Sequence, residues 1–151
     1  MKSNKGVTLI SLIIYVIGLT TVVTLMMMFT RYFNRNLSEI TIKQQAGEEH
    51  GKLLAYITKD TNNKNLVYAK SNVDSKDCLI LKFEDGTEHQ YIVCDNNIFF
   101  ISKYNLEEKK ILLCKNVEYD SEKIFSYSEK TLILDYISDE NKFYNAINLD
   151  F

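Results

Sequence analysis

The sequence predicts an α+β protein: a long N-terminal helix, half membrane-spanning and half amphipathic, packed on an antiparallel β-sheet. Three observations predict it. No charged residue occurs from Val7 to Thr30. Helical spacing then continues to about Lys59, in a chain with no proline to break it. Beyond Asp60 the period changes to short β-rich runs separated by turn residues.

Composition narrows the classes. The chain has 151 residues, enough for one domain and an anchor. Hydrophobic residues make up 46% and charged residues 25%, which excludes a disordered chain. Of the 18 basic residues only Lys2 and Lys5 precede residue 31, and all 20 acids follow it, so the remainder carries a net charge of −4. That balance argues against direct nucleic-acid binding, which needs Lys and Arg against phosphates.

Val7 to Thr30 is about 24 residues, enough to cross a hydrocarbon core of about 30 Å as a helix. A secretory signal would have a shorter apolar region and a small-residue cleavage site. This run instead ends in Thr30-Arg31-Tyr32-Phe33. A permanent single-pass anchor fits the length. Lys2 and Lys5 favour a cytoplasmic N-terminus, a bias weakened by Arg31 and Arg35.

No turn signal separates Thr30 from Arg31. Phe33, Leu37, Ile40, Gly47, Gly51, Leu54 and Ile57 recur at steps of three, four or seven. Arg35, Glu39, Lys43, Gln45, Glu49 and Lys52 form the opposite face. One helix from about Val7 to Lys59 is expected, roughly 80 Å long at 1.5 Å per residue. Gly47 and Gly51 on the apolar stripe mean either close approach to sheet side chains or a local weak point.

Thr61–Asn65 is expected to be a loop, followed by a weak strand, Leu66–Lys70. Cys78–Phe83 and Glu88–Cys94 flank Asp85-Gly86, a hairpin signal. Ile98–Tyr104 follows the Asp95-Asn96-Asn97 turn, and Lys110–Cys114 follows a charged loop, Asn105–Lys109. Ile124–Tyr127 is short. Thr131–Ile137 and Phe143–Leu149 form the last hairpin around Ser138–Asn141. The apolar helix, 7–30, is therefore followed by its amphipathic continuation, 31–60, and by the β-sheet domain, 61–151.

Cys78, Cys94 and Cys114 contain no C-x-x-C pair and have no zinc spacing with His50 or His89, so no metal site and no cofactor is expected. The three read as buried small hydrophobes or as one disulfide with a spare thiol. A two-residue turn would put Cys78 and Cys94 on opposite faces of their hairpin. A three-residue loop with a bulge would put them diagonally on one face, and a bridge between them is left open. Nucleotide-binding, nucleophile-elbow and zincin motifs are absent, and no catalytic residue is assigned. Glu48-Glu49, Glu107-Glu108 and Asp139-Glu140 read as solvated acids. His50 reads as packing or capping and His89 as an exposed strand residue.

Lys5-Gly6-Val7-Thr8-Leu9-Ile10, abutting the apolar helix, resembles the processing site of type IV prepilins and pseudopilins. The strand half resembles minor pilins and pseudopilins of the PilW, GspJ and ComGF type. There Leu79-Ile80-Leu81, Asp85-Gly86, Asn97-Ile98-Phe99 with Ile101, and Leu132-Ile133-Leu134 carry the likeness. The resemblance implies a pilin-like fold and cleavage by a prepilin peptidase between Gly6 and Val7, with methylation of Val7; residues 1–6 would be the prepilin leader and 7–30 a transmembrane and later filament-core helix. It implies membrane lipid around the helix before assembly, then other pilins or pseudopilins around it in a helical filament.

Ser11 stands where the family pattern has Glu, which neutralises the neighbouring subunit's N-terminal amine. The resemblance then implies a minor subunit that initiates or caps a type IV pilus, or a pseudopilus for competence or type II protein secretion. It implies a structural rather than enzymatic role, in the bacterial cytoplasmic membrane with the globular part outside and at the cell surface after assembly. The competing reading is a permanently membrane-anchored extracytoplasmic binding or sensor module, in which Ser11 is ordinary.

Overall fold

The computed structural model describes residues 5–63, 65–72, 76–105 and 107–149, with side chains from Leu9 onward. It is α+β: one long N-terminal helix, α1 (Lys5–Thr61), whose C-terminal part packs on antiparallel strands. The chain divides into two compact units at Thr41 and Ile42, inside the expected amphipathic half.

The first unit is helical. Every described side chain from Leu9 to Thr30 is exposed. The hydroxyls in this stretch are satisfied locally. Thr20 donates to the Val16 and Ile17 carbonyls at 3.0 and 2.9 Å, and Thr21 to Ile17 at 2.8 Å. Thr24 and Thr30 donate to the Thr20 and Met26 carbonyls, each at 2.8 Å. Such back-bonding hides a polar group against its own helix, which suits an apolar solvent.

In the second unit α1 ends at Thr61. The Asn62 N–H bonds the Thr58 carbonyl at 3.0 Å, and Lys59 supplies a cation to the last turn. The strands are β1 (Leu66–Ser71), β2 (Cys78–Phe83), β3 (Glu88–Cys94), β4 (Asn97–Tyr104), β5 (Glu107–Cys114), β6 (Val117–Tyr119), β7 (Phe125–Ser128), β8 (Thr131–Ser138) and β9 (Asn141–Asn148). They make two antiparallel sheets. The first is the meander β1-β2-β3-β4-β5. In the second, β9 pairs β8 along its whole length. β6 and β7 therefore share the other edge of β8, at Tyr136–Ser138 and Thr131–Leu134. β6 is not among the expected strands, and β5 begins at Glu107 rather than Lys110. Continued pairing of Tyr104 with Glu107 and Lys103 with Glu108 removes most of the expected loop, whose Leu106 lies outside the described residues. Lys64, in the expected loop after the helix, also lies outside them.

The β2–β3 turn is the three-residue form. Phe83 and Thr87 close it at 3.0 Å around Glu84-Asp85-Gly86, and Gly86 has φ 81°. That conformation is open to Gly and strained for other residues. Cys78 then faces Ile92, so Cys78 and Cys94 lie diagonally on one face. All three cysteines are free thiols; Cys78 and Cys114 are buried but Cys94, at the strand end, is exposed.

The core joins helix and both sheets. Leu53 and Ile57 of α1 pack in one cluster with Leu79, Leu81, Tyr91 and Phe100 of the first sheet and Leu132, Leu134 and Tyr136 of the second. A polar seam ties the sheets. The Asp77 carboxylate accepts the Ile124 and Phe125 N–H groups at 2.7 and 3.1 Å. Burial pushes this carboxyl above its usual range despite the two N–H groups pulling it down. Asn72 donates to the Phe125 carbonyl at 2.9 Å, and Ser71 Oγ accepts the Tyr127 N–H at 3.1 Å.

Only the end of the expected stripe is packed. Buried α1 residues are Ala46, Leu53, Ile57, Asp60 and Thr61; of these Ile57 lies on the expected stripe, and Leu54, also on it, is partly buried against the core. Gly47 and Gly51 lie about a third of a turn away at ~100° per residue. A Cβ added to either would meet nothing within 4 Å. Close approach to the sheet is therefore not their role within this chain.

Candidate assembly surface and its polar anchors

The surface least explained by the fold is the first unit itself. Leu9 and Ile10 are each 61% exposed and Phe29 is 70% exposed, with similar values between them. Water would penalise this area by about 25 cal/mol per Å². α1 is long and apolar enough to cross a membrane, and none of its apolar window is buried. A single-pass membrane protein fits these facts. Arg31 and Tyr32 close the uncharged run, as cationic and amphipathic aromatic side chains do at membrane interfaces. Arg35 then pairs with Glu39 at 3.3 Å on the exposed helix.

Of the residues singled out in sequence, Leu9, Ile10 and Ser11 are exposed on α1. Lys5, Gly6, Val7 and Thr8 are helical in backbone; their side chains lie outside the described residues, as do residues 1–4.

Two polar anchors in the second unit hold the end of α1 to the strands. Near its centre is His50, which lies beside Phe143, ring centroids 4.1 Å apart. Asn145 Nδ2 sits 2.9 Å from His50 Nε2, and Tyr136 OH 2.8 Å from Nδ1. An amide NH₂ can only donate, so Nε2 accepts and Nδ1–H donates to Tyr136. Tyr136 OH then lies 3.6 Å from Cys114 Sγ, and that thiol donates to the Glu49 carbonyl at 3.5 Å. The directions are consistent for a neutral imidazole, and burial lowers the His50 pKa accordingly. Burial also pushes the Cys114 thiol up to about 11 and the Tyr136 phenol well above its ordinary value. This thiol is held protonated and unreactive.

The second anchor lies at the helix end. Buried Asp60 Oδ2 accepts the Tyr91 hydroxyl at 2.6 Å and the His89 Nδ1–H at 2.7 Å. His89 is therefore not the exposed strand residue expected: its side chain is 20% exposed, with Phe83 and Phe100 edge-on at 5.0 and 4.9 Å. Burial, and then the adjacent Asp60, raise the Tyr91 pKa far above its ordinary value. No sequence spacing pairs residues 60, 89 and 91; only the period of two on β3 hints that His89 and Tyr91 share a face. The expectation of solvated acids holds for Glu48, Glu107 and Glu108, whereas Glu49 is half-buried and accepts the Lys115 N–H at 2.9 Å.

Among the described residues no group of three His, Cys, Asp or Glu side chains is placed to hold a metal ion. No family model, no curated protein and no solved structure matches the chain.

Proposed function

We propose that the chain is a minor pilin or pseudopilin, a structural subunit that helps initiate or cap a type IV pilus or a competence or secretion pseudopilus. The carrying observation is the bare uncharged stretch of α1, in the same helix whose far end is anchored to a β-sheet domain. Such a surface needs an apolar environment, and lipid and a filament core are two that one helix can occupy in succession. The Lys5-Gly6-Val7-Thr8-Leu9-Ile10 junction supports the order of events: residence in the cytoplasmic membrane with the N-terminus inside, a cut after Gly6, methylation of Val7, then extraction into the filament among other subunits. Ser11 offers no charge to pair with a neighbouring amine, which supports a minor position over a repeating one.

Mass spectrometry of the protein from membranes of cells with active prepilin peptidase tests this. The expected N-terminus is methylated Val7; an intact Met1 or Lys2 would overturn the reading. The second reading, a permanently anchored extracytoplasmic binding or sensor module, is favoured by Ser11 alone, and its mark is activity that survives replacement of Gly6.

A further inference from the structure

The hydroxyl groups in the apolar stretch of α1 fall into two kinds. Thr20, Thr21, Thr24 and Thr30 each donate to a carbonyl of their own helix. Tyr15 has no such recourse, because a phenol hydroxyl stands beyond reach of its own backbone, unlike the short hydroxyl of Ser or Thr. Among the described residues neither Ser11 nor Tyr15 has a side-chain hydrogen-bond partner, and Tyr15 is 68% exposed. Depth makes this costly. Tyr15 follows Val7 by eight residues, about 12 Å along the helix. A helical side chain leans over the turn before its own Cα. That lean carries the phenol hydroxyl to the level of Ser11, still about 6 Å inside the uncharged run. Hydrocarbon offers an unpaired hydroxyl nothing to bond, and burying it alone is unfavourable.

The same face is laid out for a second helix. Ser11, Tyr15, Gly18, Val22 and Leu25 recur at steps of four and three, the seam spacing of paired helices. At ~100° per residue they fall within ~80° of arc. Thr20 and Thr24, already satisfied, lie on the opposite side. Gly18 leaves the middle of the seam open, since a Cβ added there meets nothing within 4 Å. A small residue at that place lets two spans approach closely.

We propose that this seam pairs two copies of the chain as parallel spans, the Tyr15 hydroxyl of each donating to the Ser11 Oγ of the other. The layout names the occupant. Copies inserted in one orientation lie parallel and at equal depth, so the leaning phenol of one copy meets the serine of the next at the same level. Ser11 Oγ has two lone pairs with which to accept. Donor and acceptor belong to one surface, so the contact is reciprocal and closes at two copies. A span of another protein would have to bring both groups at that depth. The proposal goes beyond the filament reading and needs only the membrane span, which the permanent-anchor reading shares. It gives Ser11 a hydrogen-bonding role at a position that carries no charge.

Sedimentation equilibrium of the full-length protein in density-matched non-ionic micelles tests it. A monomer–dimer equilibrium is expected. Tyr15→Phe keeps the ring and Ser11→Ala keeps the helix, and each removes both reciprocal bonds. Each should raise the dimer dissociation constant roughly tenfold. The double variant should be no weaker than either single one, because the same two bonds are lost. Thr24→Val, which removes a hydroxyl from the opposite side, should leave the constant unchanged, and circular dichroism checks that every variant stays helical. A monomer at every concentration, a dimer indifferent to Tyr15→Phe, additive losses in the double variant, or an equal loss in Thr24→Val would each overturn the proposal. A chain that is monomeric alone but pairs through Tyr15 with a different single-pass protein would overturn it too, by assigning the seam to that protein.

Discussion

Tyr91→Phe removes one hydroxyl from the centre of the Asp60 anchor and almost no volume. The hydroxyl donates to a carboxylate at 2.6 Å, and Tyr91 has no exposed surface. A hydrogen bond to a charged group contributes about 1.5–3 kcal/mol. Asp60 keeps His89 as a partner at 2.7 Å, so the lower half of that range applies, about 2 kcal/mol. With a urea slope of about 1.5 kcal/mol per M for a domain of this size, the midpoint should fall by about 1.3 M. Tyrosine fluorescence of the full-length protein in micelles is a suitable probe, because the chain has 10 tyrosines and no tryptophan. Repeating Tyr91→Phe in an Asp60→Asn background isolates the pairwise part, since the carboxylate is then absent. A loss below about 0.5 kcal/mol, or the same loss in both backgrounds, would refute a role for this bond in holding the helix end.

His50 gives a pH dependence with a definite sign. Its folded pKa lies below the ordinary 6.5, so the unfolded chain takes up the proton first. The stability contributed by the neutral imidazole is present above pH 6.5 and is lost as pH falls through the lowered folded value. The urea midpoint should drop between pH 7 and pH 5 by more in the native protein than in His50→Gln. Gly51→Ala should stabilise the chain by up to about 1 kcal/mol, since the added Cβ meets open space and Ala is the better helix former; a loss would show an unseen neighbour. Glu140 sits at φ 66° in the two-residue β8–β9 turn. Glu140→Gly should raise the thermal midpoint, by relief of about 1 kcal/mol of left-handed strain against a weak exposed pair with Lys43 at 3.7 Å.

The hairpins were legible because turn chemistry is local. Asp85-Gly86 marks a left-handed position that Gly occupies freely, and the alternation of Leu79, Leu81 and Phe83 names the buried face. The turn at Glu129-Lys130 was harder, since neither residue favours the φ of 49° and 67° found there. β6 has three residues, too few for a period to show. Of the Asp60 anchor, only the shared face of His89 and Tyr91 was legible. Asp60 meets them because the helix stops beside β3, a relation that no spacing along the chain encodes.

By itself, the sequence determined the apolar run from Val7 to Thr30, the absence of any proline to interrupt the helix, and the change of period after Asp60. Each follows from solvation or backbone preference acting over a few neighbouring residues. Only the tertiary structure decided which helix face is covered. Phe33, Leu37, Ile40, Gly47, Gly51, Leu54 and Ile57 repeat at helical spacing, but of these only Ile57 is buried and Leu54 partly so, beside Ala46, Leu53 and Asp60. An apolar residue favours burial without specifying against what, and the choice between two stripes is made by the shape and the polar partners of the sheets. Tyr91, His89 and Tyr136 supply those partners for Asp60 and His50, and so orient the helix about its axis.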